Sequence, residues 1–342
     1  MAEKRKVALA LSGGVDSSFA AYILLKKGYV VEAFTLKIPF LSEGYLERAS
    51  FLCRKLGIPH HIIDVQDKFT NDIVKYFIDS YLAGLTPNPC ARCNRNIKFG
   101  LLFEEAMRRS FDFFATGHYV NLTEKDGRFY INKVPYEDNS QEYFLALVPE
   151  EILKHCLFPL GDYSKKDAAE QITEVYPFSV PSSREVCFIN DKDYRKFISG
   201  SIKDNSLYEG FIRYYDGKIL KKHNGIYNYT YGQRCGLGVS WRVPLYVSDI
   251  NSKTKDVIVA EKNKVLKDRF YVSEINWFYP ASDYTNIFVK LRYNAKLLPC
   301  RIKLDNKKVC CVLTDNKDIP SPGQLACFYD KDTVIAGGII EK

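Results

Sequence analysis

The sequence LALSGGVDSSFAAY, residues 9–22, places a polar turn between two apolar segments. Residues 6–11, which lead into the turn, form the short apolar run typical of a strand buried on both faces of a parallel sheet. After the turn, apolar residues over 19–24 recur at helical spacing, and Gly28 predicts where that helix ends. The stretch therefore predicts a strand, a turn over residues 12–18 and a helix, the local unit of an α/β fold.

The predicted turn has the composition of a phosphate site. At the carboxyl edge of a sheet, unpaired N–H groups and the dipole of the following helix favour an anion. The turn has neither the lysine of a P-loop nor a G-x-G-x-x-G fingerprint. Instead, Gly13 and Gly14 allow the backbone close to a pyrophosphate, the serines can donate to it, and Asp16 suits a bridging Mg²⁺. The turn resembles the pyrophosphatase loop of enzymes that cleave ATP between its α- and β-phosphates; the alternative is a glycine turn with helix-capping serines.

The first half of the chain alternates between strand and helix patterns. The predicted elements are a strand over 30–36, a helix over 46–56, a strand over 62–65, a helix over 67–83 and a strand that ends in a loop over 113–118. This alternation predicts a doubly wound parallel sheet with its site at the carboxyl ends of the strands. Gly117 and His118 are therefore expected at the same edge as the turn.

Beyond about residue 200 the pattern changes to short alternating runs separated by turn signals. Predicted strands lie over 246–249, 257–260, 288–292, 309–313 and 334–340. We therefore predict an α/β domain over residues 1–199, followed by two small β domains over 200–266 and 267–342.

The charge of the 342-residue chain is unevenly distributed. Residues 1–199 carry 26 basic and 26 acidic side chains, whereas the whole surplus of +8 lies in residues 200–342. This distribution predicts a polyanionic partner larger than ATP, with ordinary solubility as the alternative. No apolar run is long enough for a membrane helix and the first residues do not resemble a signal peptide, so we expect a cytoplasmic protein that does not bind membranes.

Ten cysteines in such a chain favour thiol chemistry, metal binding or buried thiols over a disulfide framework. Two of them, Cys90 and Cys93, follow Pro87 and Pro89 where a helical pattern begins. A helix N-terminus lowers a thiol pKa, and we expect Arg92 and Arg95 to add to that effect. A redox pair, half a zinc site and chance remain as alternatives, and Cys187 alone would be interpreted as a buried thiol.

Together, these elements resemble the tRNA-specific 2-thiouridylase family, which sulfurates the wobble uridine of tRNA at carbon 2. The correspondence runs from Val7 to Glu341. It includes the segments 12–18, 86–99, 115–119, 141–145, 157–161, 186–189, 231–238, 292–293, 322–324 and 337–341. The resemblance implies an ATP-pyrophosphatase domain, a small central β domain and a C-terminal β-barrel, all of which contact tRNA.

Carried over position by position, the resemblance implies roles for individual residues. The residues implied to bind ATP are Ala10, Leu11, Ser12, Gly13, Gly14, Val15, Asp16, Ser17, Leu36 and Gly117. Those implied to contact the target base are Asn88, Pro89 and Cys90. Those implied to contact tRNA elsewhere are His118, Asn139, Ser140, Gln141, Arg292, Tyr293 and Gln324. Cys93 is implied to be the nucleophile, and Cys187 to carry a persulfide sulfur from a donor protein or sulfide.

Four features depart from the family pattern. Cys90 stands where many members carry an aspartate, Cys235 replaces a lysine, and Glu142 replaces a serine. The acidic, cysteine-containing insert that is common after the second strand is shortened here to residues 38–43. Because Cys90, Cys93 and Cys187 are expected to converge, they match in number the ligands of a 4Fe-4S cluster with one open iron. A cluster is therefore an alternative to the persulfide. A further alternative is an adenylating ATP pyrophosphatase that acts on a small metabolite, and a third is an idle RNA-binding relative.

Overall fold

A computed structural model describes residues 4–41, 44–136, 139–173, 175–178, 186–189, 193–315 and 317–342. In the first half of the chain the strands are β1 (Lys6–Ala10), β2 (Val30–Lys37), β3 (His60–Asp64), β4 (Phe113–Thr116), β5 (Asn121–Lys125), β6 (Arg128–Asn132) and β7 (Cys156–Leu157). In the second half they are β8 (Gly210–Tyr214), β9 (Ile219–His223), β10 (Leu245–Asn251), β11 (Asp256–Glu261), β12 (Arg269–Trp277), β13 (Tyr284–Lys290), β14 (Leu298–Asp305), β15 (Lys308–Leu313), β16 (Leu325–Asp330) and β17 (Thr333–Ile340).

The helices lie mainly in the first half of the chain. They are α1 (Val15–Lys26), α2 (Gly44–Leu56), α3 (Gln66–Phe69), α4 (Lys75–Leu82), α5 (Pro89–Cys93), α6 (Phe103–Arg108), α7 (Lys165–Gln171), α8 (Tyr194–Ser201) and α9 (Lys262–Val265). Two π-helical stretches, Thr70–Val74 and Asn94–Leu102, connect α3 to α4 and α5 to α6, so that each trio forms one continuous helix. Short 3₁₀ helices lie at Glu142–Leu145, Glu150–His155, Asn205–Tyr208 and Ile226–Asn228.

The N-terminal domain is built on a parallel sheet in the order β3-β2-β1-β4-β7. Val7, Ala8 and Leu9 in β1 are completely buried, as the continuous apolar run predicts. Ala10 of β1 lies beside Thr116 of β4, so the two strands end at the same edge. The prediction of a doubly wound parallel sheet is confirmed, and the polar turn after β1 lies at the expected edge.

The second half contains two β structures, which confirms the predicted fold class. A four-stranded sheet has the order β10-β11-β8-β9, with β11 and β8 parallel. Strands β12 to β17 form a six-stranded antiparallel barrel, which the pairing of β12 with β17 closes. The predicted strand over 288–292 ends earlier, at Lys290, so Arg292 lies in the following loop.

A hairpin from the N-terminal domain extends the sheet of the barrel. Strands β5 and β6 pair with each other, and Asn132 of β6 pairs with Thr333 of β17. The hairpin turns through Asp126 and Gly127, with φ angles of 53° and 73°. Positive φ at both positions is the signature of an Asp-Gly hairpin turn, so the sequence carried a signal for this element that the strand–helix alternation obscured.

Candidate active site

The turn after β1 is held in shape by hydrogen bonds within it. The N–H of Ser12 donates to Ser17 Oγ at 3.2 Å, and Ser17 Oγ donates to the Gly14 carbonyl at 3.1 Å. Gly13 has a φ of 73°, and a Cβ there would lie 2.5 Å from the Tyr45 carbonyl oxygen. This backbone therefore requires glycine at position 13.

Two side chains from other segments fix the outer side of the turn. Tyr176 donates its hydroxyl to the Gly13 carbonyl at 2.7 Å, and Arg48 Nε donates to the same oxygen at 3.3 Å. Ser18, which the sequence suggested as a phosphate donor, is completely buried and donates to the Gly14 carbonyl at 2.8 Å. That expectation is wrong for Ser18 because its hydroxyl is used to close the first turn of α1.

Asp16 lies in the first turn of α1 with a defined partner. Tyr119 donates its hydroxyl to Asp16 Oδ1 at 2.9 Å. Burial raises the pKa of Asp16, while the Tyr119 hydrogen bond and the charge of Lys165 oppose that shift. Carboxylate oxygens are ligands that suit Mg²⁺, and the Lys165 cation suits phosphate oxygens rather than the metal. Asp16 therefore fits the metal role implied by the family resemblance.

The other predicted ATP-binding residues surround the turn. Ala10 ends β1, Leu11 is buried and donates its N–H to the Phe34 carbonyl, and Val15 begins α1. Leu36 lies in β2, where its carbonyl accepts the Tyr45 hydroxyl at 3.1 Å. Gly117 packs against the turn so closely that a Cβ there would lie 2.8 Å from the backbone N of Ser17.

A cavity of 940 Å³ lies next to this turn, between the N-terminal domain and the barrel. Its lining includes the predicted site residues Pro89, Cys90, Cys93, His118, Ser140, Gln141, Cys187 and Tyr293. The cavity also contains Lys165, the cation that acts on Asp16, and His118, which follows Gly117. The predicted thiols therefore line one cavity, and Lys165 and His118 connect that cavity to the predicted phosphate turn, although none of residues 12–18, all of which the structure describes, lines it.

The three thiols of the cavity come from two segments. Cys90 and Cys93 lie on α5, whose N-cap is Asn88, with Asn88 Oδ1 accepting the N–H of Ala91 at 3.0 Å. Cys187 lies opposite them, exposed to the space of the cavity. Their chain separation of more than 90 positions is closed by the fold, as the family resemblance requires.

The expected depression of the thiol pKa values is not present. Burial raises the pKa of Cys90 to about 11 and that of Cys93 to about 12, and it also raises the pKa of Cys187. The surrounding protein atoms limit the access of water to Cys90 and Cys93, and this effect exceeds the helix dipole of the short α5. The thiols are therefore protonated near neutral pH.

The two arginines near the thiols do not lower these pKa values, because they are directed elsewhere. Arg92 Nη1 and Arg95 Nη1 lie 3.9 and 3.7 Å from Glu274 Oε2 of the barrel. The Arg92 guanidinium also stacks 4.3 Å from the centre of the Tyr76 ring. Arg92 and Arg95 thus connect the cysteine helix to β12 rather than supplying charge to the thiols.

His118 is a neutral imidazole in the wall of the cavity. Its Nδ1 lies 2.8 Å from Thr116 Oγ1. Burial lowers the pKa of His118 well below its ordinary value, and the charge of Lys98 lowers it further.

The cavity is strongly cationic. The lysines that line it are Lys98, Lys133, Lys165, Lys290 and Lys296, whereas Glu142 is the single carboxylate among the described residues of its lining. Glu142 is completely buried; its Oε1 accepts the Tyr329 hydroxyl at 2.9 Å and lies 3.9 Å from Lys290 Nζ. Sequence reasoning missed these lysines because isolated lysines without a motif carry no signal of their own.

The remaining predicted tRNA contacts lie at the junctions around the cavity. Asn88 Nδ2 donates to Gln324 Oε1 at 2.9 Å, and Arg292 Nη2 donates to the Ile319 carbonyl at 3.0 Å. Asn139 donates its N–H to the Tyr136 carbonyl. Two hydrogen bonds with the backbone of Tyr119 fix Gln141. Gln141 Oε1 accepts the N–H of Tyr119, and the N–H of Gln141 donates to the Tyr119 carbonyl.

The cluster alternative is not supported by the side-chain geometry. Among the residues that the structure describes, no group of three or more His, Cys, Asp or Glu side chains is arranged to hold a metal ion. Cys90, Cys93 and Cys187 line one cavity but do not form such a group, so we derive no step through an iron–sulfur cluster. In the same part of the chain, no helix is long and apolar enough to cross a membrane.

Comparison with protein-family models divides the chain into three matched regions. Residues 5–191 match the tRNA methyl transferase HUP domain, residues 195–261 the tRNA methyl transferase PRC-barrel domain, and residues 267–340 the aminomethyltransferase beta-barrel domain. The fold and the site thus define a HUP-domain protein with a phosphate turn and two attached β domains.

The relatives identify the family within this class. The chain belongs to the tRNA-specific 2-thiouridylase family. It is 38% identical over 350 residues to tRNA-specific 2-thiouridylase MnmA 2 of Clostridium botulinum, covering 99% of each chain. It is 37% identical over 358 residues to tRNA-specific 2-thiouridylase MnmA of Acetivibrio thermocellus, again covering 99% of each chain. A solved complex of a 4-thiouridine synthetase with RNA and bound ATP is 23% identical, with a TM-score of 0.37 over 50% of this chain and 40% of that chain.

Proposed function

We propose that this protein sulfurates the wobble uridine of tRNA at carbon 2, using ATP and releasing AMP and pyrophosphate. The observation that carries the proposal is the cavity that three thiols and five lysines line. Two of its lining residues connect it to the phosphate turn, since the charge of Lys165 acts on Asp16 and His118 follows Gly117, which packs against Ser17. If a thiol is to act on a nucleotide that ATP has activated, the thiol and the ATP-binding turn must lie close together. The names of the relatives support tRNA as the substrate.

In the first step, the turn over residues 12–17 would hold the phosphates of ATP. Uracil O2 is a poor leaving group, so O2 attacks the α-phosphorus, an O–P bond forms and pyrophosphate departs. Mg²⁺, held by Asp16, would neutralise charge on the phosphate oxygens. The adenylated O2 can then leave carbon 2 as part of AMP.

In the second step, sulfur would pass through Cys187. The donor is a protein persulfide, which leaves its outer sulfur on Cys187 and keeps a thiolate. The outer sulfur of Cys187 attacks carbon 2, and AMP leaves with the former O2. Cys93 then attacks the Sγ of Cys187, which releases the 2-thiouridine and leaves a disulfide between Cys93 and Cys187. A thiol reductant restores the two cysteines, since the cycle consumes two electrons.

The RNA would approach through the cationic cavity. Lysines attract phosphates, and a base in a single-stranded anticodon loop can leave its stack at low cost. We propose that the segments 1–199, 200–266 and 267–342 contact the tRNA together. The first and the last of them line the cavity, and the whole basic surplus lies in the last two.

A reconstituted reaction tests the proposal. The protein is incubated with ATP, Mg²⁺, a persulfide donor, dithiothreitol and a tRNA that has uridine at the wobble position, and the nucleosides are analysed by mass spectrometry. We expect 2-thiouridine with this tRNA and none with the same tRNA carrying cytidine there. AMP formation that is independent of tRNA would instead support the alternative, an adenylating enzyme for a small metabolite.

A further inference from the structure

The helix that carries the active-site cysteines changes its winding directly after Cys93. Cys93 is the N-cap of the π-helical stretch Asn94–Leu102. In a π-helix the hydrogen bonds run between residues five apart, so that such residues lie one turn from each other. In an α-helix of 3.6 residues per turn, five positions correspond to about 140° around the axis. The π winding therefore brings Lys98 to the face of Cys93, and both residues line the cavity.

The positive charge of Lys98 acts on all three cysteines that line the cavity. Burial is the largest influence on the pKa of Cys93 and of Cys187, and for both the largest opposing influence is the positive charge of Lys98. The same charge acts on Cys90, although burial and the neighbouring Cys187 exceed it there. The positive charge of Lys98 thus acts on thiols from two segments that are far apart in the sequence.

The ammonium group of Lys98 has no carboxylate partner in the part of the chain that the structure describes. Among the residues described, no Asp or Glu lies within ion-pair distance of Lys98, whereas Lys290 lies 3.9 Å from Glu142 and Lys133 lies 3.6 Å from Asp332. Lys98 is half-buried in the cavity wall. A half-buried cation without an anion is suited to an anion that forms during the reaction.

We propose that Lys98 stabilises the thiolate and persulfide anions of Cys93 and Cys187 during sulfur transfer. This inference rests on the proposed function. It assigns to Lys98 the role of holding a positive charge beside the sulfur atoms that become negatively charged. A positive charge close to the sulfur atoms is needed because burial by itself favours the neutral thiol over the anion. The other charged or titratable groups that face the cavity, among the residues described, are Cys90, His118, Lys133, Glu142, Lys165, Lys290, Tyr293 and Lys296.

Thiol alkylation tests the proposal without ATP, tRNA or a sulfur donor. The full-length protein and its Lys98→Met and Lys98→Arg variants react with iodoacetamide between pH 7.5 and 10, and the alkylation of Cys93 and Cys187 is followed by mass spectrometry. We expect Lys98→Met to react about tenfold more slowly at a given pH, equivalent to about one pKa unit. Lys98→Arg should stay close to the unmodified protein because it keeps the charge.

The control is Lys166→Met, since the Lys166 side chain is 83% exposed on α7. We expect it to leave the alkylation profile unchanged. Wild-type alkylation rates for both cysteines in folded Lys98→Met would overturn the proposal. If Lys98→Met does not fold, Lys98→Gln is measured instead, and the same two outcomes decide. A protein that shows the predicted alkylation shift but makes no 2-thiouridine would contradict the proposed function alone.

Discussion

Asn88 and Gln324, 236 positions apart, are joined by a hydrogen bond of 2.9 Å from Asn88 Nδ2 to Gln324 Oε1. The same Asn88 side chain caps α5 through its other atom, Oδ1. Tyr143 donates to Gln324 Oε1 at 3.4 Å and to the Leu325 carbonyl at 2.7 Å. A residue of the barrel therefore fixes the start of the helix that presents Cys90 and Cys93.

The Gln324 contact can be tested with two substitutions. Gln324→Ala should lower the free energy of unfolding by about 1 kcal/mol, since it leaves the Asn88 amide without its acceptor. It should also reduce 2-thiouridine formation because α5 loses a support. Gln324→Glu keeps an Oε acceptor and should remain closer to the unmodified protein in denaturant titrations. Equal losses in the two variants would contradict this role of the hydrogen bond.

Asp16→Asn should abolish the formation of AMP and pyrophosphate. The substitution keeps the shape of the side chain and removes the charge that suits Mg²⁺. Tyr119→Phe, which deletes only the hydrogen bond to Asp16 Oδ1, should reduce the rate less severely. Release of pyrophosphate measures both variants, and normal release by Asp16→Asn would exclude a metal role for this carboxylate.

Substitution of the two sulfur-carrying residues should separate adenylation from sulfur transfer. Cys187→Ser and Cys93→Ser should each lower 2-thiouridine formation by at least about 100-fold, since a serine hydroxyl neither carries a persulfide nor resolves a disulfide. AMP formation on tRNA should continue in both. Cys310→Ser in β15 serves as the matched control and should retain activity. Full thiolation by Cys187→Ser would show that the roles of the cysteines are misassigned.

The buried thiols predict a loss of stability at alkaline pH. The pKa values of Cys90 and Cys93 are raised to about 11 and about 12 in the folded protein, above the ordinary value of a thiol in an unfolded chain. The neutral thiols therefore favour folding below the unfolded pKa, and this contribution is lost as the pH rises toward the folded values. We expect the free energy of unfolding to fall by about 1 kcal/mol per thiol between pH 7.5 and 9.5. Cys93→Ala should show a weaker dependence on pH in denaturant titrations.

Loss of a cavity cation should weaken tRNA binding in a manner that depends on salt. Lys296 is exposed in the loop after β13 and lines the cavity. Lys296→Ala should reduce affinity for tRNA and lower the slope of log K against log salt by about 0.7–0.9. Fluorescence anisotropy from 50 to 300 mM KCl measures the slope. Lys166→Ala, in which the exposed cation on α7 is removed, provides the comparison, and an identical change in both variants would argue against a specific contact.

The sequence predicted those elements in which local pattern and tertiary environment agree. Strand β1 is continuous and apolar because it is buried on both faces, and Gly13 of the following turn has the positive φ that favours glycine. The directions of Arg92 and Arg95 could not be predicted in this way. Their partner Glu274 lies in the barrel, and no local pattern reports a contact across domains.

The burial of the thiols also could not be predicted from the local sequence. A helix N-terminus favours a thiolate, but the depth of the cavity depends on segments such as 186–188 and 290–297 that are remote in sequence. Burial was therefore underestimated. Lys98 was missed for a related reason, since its position relative to Cys93 depends on π-helical winding, which periodicity based on 3.6 residues per turn does not reveal.

The β5–β6 hairpin sets a condition for engineering this protein. Strand β17 pairs with β16 and with β12 in the barrel, and its Thr333 also pairs with Asn132 of β6. Gly337 of β17 packs against Ala146 so closely that a Cβ would lie 2.6 Å from it. The barrel is thus not a detachable module. A chimera that takes residues 267–342 from a relative would need that relative's residues 121–132 and 146 as well. Otherwise β17 of the relative would pair with a β6 strand of different sequence, and its residue 337 would pack against a side chain at position 146 that does not fit it.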